Sequence, residues 1–240
     1  MALGVMARAP SDERGKTRLI LALGIDGGAD LRRAILLDTL EAMASVRLAD
    51  RIVLFTPADA SEEFAGLGAD VARLIPQRGE TLRERLEYGF ADLFALGYDG
   101  AALIGSDLPT LPPGPVEQGL EALGRAPDPL VLGPAEDGGY YFIGLRRPHP
   151  ELFRGVPWST EGVLAATRAI AAREALEVTL LPSWYDVDAV PDLERALQAT
   201  ERSVHPSGGP RHLRAWAARH RLSSPSVSRL LPRRPRKGQA

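Results

Sequence analysis

The stretch PLVLGPAEDGGYYFIGL, residues 129–145, decides the fold. An apolar run leads into Asp137-Gly138-Gly139, and a second apolar run follows at once. Asp-Gly is a leading signal for the reversal between two antiparallel strands, so the segment reads as strand, turn, strand. Working outward, GAALIG (100–105) is a short apolar strand that delivers Ser106 and Asp107 to its C-terminal end. GPVEQGLEALGRA (114–126) has the spacing of a helix between them. Further upstream, LGVMARA, RIVLFTP and a weaker ARLIPQ read as strands. They alternate with helical DLRRAILLDTLEAMASV and TLRERLEYGFADLFALG. Downstream, STEGVLAATRAIAAREAL reads as a helix N-capped by Ser159 or Thr160, VTLLPSWYDVD as the last strand and VPDLERALQATE as the last helix. Such alternation predicts an α/β protein, a sheet with helices on both faces.

Composition narrows the chemistry. The 240 residues include no cysteine and 4 histidines, which removes disulfides, thiolate metal sites and cysteine nucleophiles and disfavours zinc. Any metal should be a hard cation on oxygen ligands. The start, MALGVMARAPSDERG, lacks the pattern of a signal peptide, and no window has the apolar length of a membrane span, so a cytoplasmic protein is expected. Net charge is −2, but from Ser203 onward there are nine Arg or Lys residues and no acid. Residues 1–202 thus hold 20 basic against 31 acidic side chains, a balance of −11 that suits metal better than nucleic acid. The expected division is one domain over 1–202 and a basic Pro/Ser/Arg-rich tail over 203–240, largely disordered. Within that tail GGPRHLRAWAARHRL has the pattern of a short basic amphipathic helix.

Three strand-to-turn passages bear aspartates: Asp107 in ALIGSDLPT, Asp137 in the hairpin, and Asp186 with Asp188 in WYDVDAVPDL. Carboxylates at strand ends suit the holding of a divalent cation against phosphate oxygens. Asp186 and Asp188 alternate across Val187, so an extended backbone points both to one side, where like charges call for a cation. Asp192 caps the last helix or sits in its first turn. Lysine is rare here, only Lys16 and Lys237, and Lys16 falls in GKTRL after the first strand. Lys16 and Arg18 are therefore candidate phosphate ligands, and Lys16 with Asp107 the candidate catalytic pair. Gln77 and Arg85 could touch a base or phosphate, although Arg85 reads equally as a surface arginine. Asp137, Gly138, Gly139 and Tyr140, with Trp158, Ser159 and Thr160 at a helix start, could receive an acceptor. The turn chemistry alone also accounts for Asp137.

In order, ARAP…KTRL, LLDTL, Q.G..L.ERL, GSDLP, GPAEDGGYYFIGL, WST and DVD…DL resemble a bacterial family of GT-A-like proteins. That family is related to nucleotide-diphosphosugar transferases, and some members act in arsenosugar biosynthesis. The resemblance runs from the first strand to Thr200. It implies a Rossmann-like GT-A three-layer sandwich with a mostly parallel sheet and nucleotide bound over the strand ends. It also implies Mg or Mn, held at Asp107, Asp186 and Asp188 as in related guanylyltransferases. The implied activity is glycosyl transfer from a nucleotide sugar to a small acceptor. Nucleotidyl transfer to a phosphorylated small molecule, with loss of pyrophosphate, is the alternative, and a non-catalytic nucleotide-binding protein is a third reading. The sequence departs from the family pattern at SDERG before Lys16 and at Arg83. GSDLP also offers one carboxylate where many GT-A glycosyltransferases have a DxD pair.

Overall fold

Alternating apolar side chains let each central strand bury both faces. Val53 and Phe55 enter one core while Ile52 and Leu54 enter the other. In the computed structural model, which describes residues 1–12, 19, 25–68, 71, 73–202, 209–220 and 222, these strands form one seven-stranded sheet. The strands are β1 (Ala2–Arg8), β2 (Asp50–Thr56), β3 (Arg73–Pro76), β4 (Ala101–Gly105), β5 (Pro129–Pro134), β6 (Tyr140–Leu145) and β7 (Glu177–Leu180). Their order across the sheet is β3-β2-β1-β4-β6-β5-β7. All neighbours are parallel except β6, which runs antiparallel to both β4 and β5. The hairpin read from residues 129–145 is therefore present, with its second strand inserted between β4 and β5.

Helices cover both faces. On one side lie α1 (Ile25–Met43), α2 (Ser61–Ala65) and α4 (Pro113–Leu123), contributing Leu36, Leu40, Phe64, Val116 and Leu120 to the first core. On the other lie α3 (Leu82–Ala95), a 3₁₀ turn (Pro150–Phe153) and α5 (Val163–Arg173), with Leu86, Phe90, Phe153 and Ile170 in the second. Thr81 caps α3 by a reciprocal bond with Glu84, which fixes where that helix starts beside β3.

A third core has no strand of the sheet in it. Leu31 and Ile35 of α1 pack with Leu193 and Leu197 of α6 (Val190–Arg202) and with Leu213 and Trp216 of α7 (Arg211–Arg219). Part of the segment expected to be a solvated tail is thus a docked helix, and Leu213 and Trp216 are both fully buried. The dock is also polar. The buried carboxylate of Asp38 accepts the backbone amides of His212 and Leu213 at 2.8 and 2.7 Å, satisfying two amides at the start of α7. Burial nonetheless raises the Asp38 pKa to about 6, because desolvation outweighs those two bonds. No helix of the described residues is long and apolar enough to cross a membrane.

Candidate active site

The C-terminal ends of β1, β2, β3 and β4 open onto a cleft of about 1040 Å³, whose far wall is the β5–β6 turn and the residues before α5. Ligands of open α/β sheets bind at this edge. Asp107 lines the cleft in the turn that follows β4. That turn is fastened from below by Thr39 of α1, a fully buried residue. The Thr39 hydroxyl accepts the Leu108 amide at 3.2 Å and lies 2.9 Å from the Ser106 carbonyl and 3.0 Å from that of Ile35. The LLDTL segment therefore serves two neighbours at once: Asp38 receives α7 and Thr39 holds the Asp107 turn.

The strand expected over VTLLPSWYDVD ends at Leu180, and Asp186 and Asp188 lie on an extended segment beyond it. Pro182 and a one-residue slip against the end of β5 explain the early end. Trp184 then resumes the parallel pairing at Ala135, just past the end of β5, donating its amide to Pro134 (3.0 Å) and accepting from Glu136 (3.0 Å). The Tyr141 hydroxyl donates to Pro182, and the Val187 amide donates to the Asp107 carbonyl at 2.9 Å. This last bond sets the two aspartate segments side by side. Val187 is fully buried in the third core, so Asp186 and Asp188 on either side of it both face the cleft. Asp192, in the first turn of α6, accepts the Asp188 and Ala189 amides.

The β5–β6 turn and residues 157–162 form one unit. Asp137 accepts the Gly139 amide at 2.9 Å, and Gly138 has φ +88°. A Cβ on Gly138 would lie 2.3 Å from the Glu161 carbonyl oxygen, so only glycine lets the two backbones meet. Leu164 donates its amide to Gly138. Neither Ser159 nor Thr160 caps α5, contrary to expectation: the residue before the helix is Gly162, with no side-chain cap. Ser159 instead takes a left-handed φ of 64°, and Thr160 bonds Pro157 and Gly162 to close the loop. Trp158, Ser159 and Thr160 all line the cleft, as do Asp137, Gly139 and Tyr140. Tyr140 meets Trp158 edge-on at 6.5 Å, and Phe153 stacks on Trp158 from behind. The Tyr140 hydroxyl faces that of Thr167 without a bond of ordinary geometry, and burial pushes its pKa upward.

At the other end, Gln77 and Arg85 line the cleft. Gln77 directs its amide nitrogen to the carbonyls of Leu54 (2.6 Å) and Ala7 (3.3 Å), so it offers a ligand its oxygen as an acceptor. The Arg85 Nε donates to Gly79, pinning the loop before α3 and making this arginine part of the site's wall. Lys16 and Arg18 lie outside the described residues. Reading the sequence missed Thr39, together with Arg8, Glu80 and Glu161, which also line the cleft. Arg8 lies in ARAP and Thr39 in LLDTL, but nothing local marks any of the four side chains as part of a site.

Electrostatics favour a cation among the aspartates. Burial raises the Asp186 pKa, and the charges of Asp188 and Asp137 raise it further, so this carboxyl holds its proton more tightly than usual. The donors are all oxygens, the set that a hard divalent ion requires. Among the described residues the trio of ligand atoms lying within 4.8 Å of one another is a different one, Asp38, Glu41 and His212. None of those three lines the cleft. Their contacts are those of the α7 dock: Asp38 takes amides, and Glu41 pairs with Arg211 and His212.

No curated protein matches this chain. Two solved structures share its fold at low identity. A CMP:2-keto-3-deoxy-manno-octonic acid synthetase complexed with CTP has TM-score 0.54 and 16% identity over 83% of this chain and 98% of that one. A cytidylyltransferase from Leptospira borgpetersenii serovar Hardjo-bovis has TM-score 0.56 and 12% identity over 94% and 95%. A candidate nucleotide-diphospho-sugar transferase from Desulfovibrio desulfuricans G20 is far more similar. It has TM-score 0.82 and 31% identity, covering 96% of this chain and 99% of its own. Residues 39–160, from the threonine beneath the Asp107 turn to the end of the Trp158 loop, match the family described as uncharacterized protein conserved in bacteria (DUF2064). With over half the sequence matched and that relative aligned along nearly its whole length, the chain belongs to this bacterial family, built on the nucleotide-diphosphosugar transferase fold.

Proposed function

We propose that the protein is a nucleotide-dependent transferase that moves a glycosyl group from a nucleotide sugar to a small acceptor with help from Mg or Mn. The observation that carries this reading is the meeting of three aspartate-bearing segments over one strand edge, with the Val187–Asp107 bond tying two of them and all three lining one cleft. The kinship with the Desulfovibrio protein supports it. Asp107, Asp186 and Asp188 would hold the cation, which supplies charge neutralisation for the leaving phosphates. Lys16, Arg18, Gln77 and Arg85 would bind the nucleotide, and the surface from Asp137 to Tyr140 with Trp158, Ser159 and Thr160 would receive the acceptor. In the reaction an acceptor oxygen bonds to the anomeric carbon as the bond from that carbon to the phosphate oxygen breaks. The nucleoside diphosphate leaves with the electron pair, and the acceptor's proton passes to a cleft carboxylate. Positioning and a fixed electrostatic frame supply most of the rate.

The shared fold with cytidylyltransferases and the single carboxylate of GSDLP favour a second reading, nucleotidyl transfer with release of pyrophosphate. One experiment tests both. Nucleoside triphosphates, diphosphates and nucleotide sugars are screened by thermal shift with and without Mg or Mn, and the ligands that bind are then assayed for product. A metal-dependent rise in melting temperature is expected, because a ligand of the native state stabilises it. Nucleoside diphosphate as product marks glycosyl transfer, and pyrophosphate marks the alternative. If no nucleotide shifts the transition, both readings fail.

A further inference from the structure

The charges of the cleft are unevenly placed, and their placement bears on the acceptor. Among the described residues that line it, the cations are Arg8 and Arg85, both at the β1–β3 end beside Gln77. Arg8 already faces Asp12 at 2.6 Å, and Arg85 is tied to Gly79. The opposite end, around Trp158 and Tyr140, carries Asp137 and Glu161 with no described cation lining it. Arg195 reaches this region from α6, but it grips Glu136 through two bonds of 2.6 and 3.0 Å and stacks over Tyr185 at 3.8 Å. It is not among the lining residues.

Counting Asp107, Asp186, Asp188 and Glu80 as well, the described lining has six acids against two bases, a formal −4. Adding Lys16 and Arg18 in full would bring it to −2, and a divalent cation would bring it to neutral. A bound nucleoside diphosphate then returns the site to a negative charge. An acceptor bearing phosphate or carboxylate would enter a negative, partly enclosed space, with no described cation at its own end to pair with. Coulomb repulsion at a few ångströms costs about 1–4 kcal/mol per charge pair near a protein surface. Resting on the transferase reading, we infer that the acceptor is a non-anionic small molecule, a polyol or amino sugar. Its ring would lie against Trp158 and Tyr140, and its hydroxyl or ammonium groups would face Asp137 and Glu161. Aromatic faces beside carboxylates suit such compounds, since the C–H face of a sugar or an ammonium group meets the π-surface while the polar edge is accepted by carboxylates.

The test uses saturation-transfer NMR on the full chain with nucleoside diphosphate and Mg present. The probes are methyl glucoside, glucosamine and glucose 6-phosphate at equal concentration. Glucosamine and methyl glucoside should give signals at least about fivefold stronger than glucose 6-phosphate, a ratio that corresponds to about 1 kcal/mol of discrimination. Glu161→Gln, checked for an unchanged melting temperature, should reduce the glucosamine signal more than that of methyl glucoside. Glucose 6-phosphate binding best, equal signals for all three, or no signal from any would each overturn the inference. So would a glucosamine signal indifferent to Glu161→Gln. Binding of the nucleoside diphosphate is followed separately by thermal shift, so failure of the acceptor assignment is distinguished from failure of the transferase reading.

Discussion

Replacing Thr39 by valine removes one hydroxyl from beneath the Asp107 turn while keeping the volume of the side chain. In the folded protein that oxygen is the acceptor for the Leu108 amide and a neighbour of the Ser106 carbonyl, in a place where Thr39 is fully buried and Leu108 nearly so. Valine leaves the amide without that partner in a site closed to water. An unsatisfied buried donor costs about 1–3 kcal/mol, and the poorer state of the carbonyl adds to it, so a loss of about 2–3 kcal/mol is expected. Urea denaturation should show the midpoint falling with the slope unchanged, since no cavity is made and the exposed area is the same. Thr39→Ser keeps the hydroxyl and drops only a methyl, so it should cost about 1 kcal/mol. Metal-dependent nucleotide shifts should weaken in Thr39→Val and persist in Thr39→Ser, because only the former frees the turn that carries Asp107. A loss below about 0.5 kcal/mol in Thr39→Val, or a larger loss in the serine variant, would refute the reasoning.

Gly138→Ala should destabilise by at least about 2 kcal/mol, because a left-handed backbone and a carbonyl 2.3 Å from the new Cβ oppose it together; calorimetry against Gly97→Ala, where the space is open and φ is also positive, separates the clash from the backbone strain. Truncation after Arg202 removes Leu213 and Trp216 from the third core and should cost at least the roughly 3–5 kcal/mol of a buried Trp-to-Ala change, so a melting temperature equal to that of the full chain would contradict the packing. For pH, the folded-state pKa of Asp38 is raised to about 6 from 3.8, so its contribution to stability is fully present below the lower value and is lost as pH rises through the upper one. Relative to Asp38→Asn, the native chain should therefore lose about 3 kcal/mol between pH ~4 and pH ~7, and parallel stability profiles for the two proteins would remove Asp38 as the cause.

The alternation of strand and helix patterns was enough to find every strand of the sheet, because apolar periodicity is a local property of the chain, although the last was read well past its end at Leu180. The Asp137 turn was legible for the same reason: its Asp-Gly-Gly carries its own geometry. What joined Asp107 to Asp186 was not local. It depended on Trp184 taking up its pairing again at Ala135 after a one-residue slip, and on one backbone bond from Val187 across eighty residues. Thr39 was invisible as a functional support because a threonine within a helix is ordinary until the partner that reaches it is known. The helix at 211–219 was read from its pattern, but its dock was hidden. Its basic composition argued for solvent, and the deciding partner was the buried Asp38 carboxylate on a distant helix.

The sheet is also divided along the sequence. Strands β3-β2-β1-β4 come from residues 2–105 and β6-β5-β7 from residues 129–180, and the two blocks meet in the four residue pairs of the β4–β6 ladder. The cleft spans this join, with Asp107 on the first block and Asp137 and Asp186 on the second. The helices α6 and α7 then return to α1, so residues 190–202 and 211–219 clasp the first block. Both cores run across the join, so in hydrogen exchange the β4–β6 amides should open only with the two blocks together. A ligand reaching from Asp107 to Asp137 would slow exchange along that ladder, while release of α7 would speed it at a distance from the cleft.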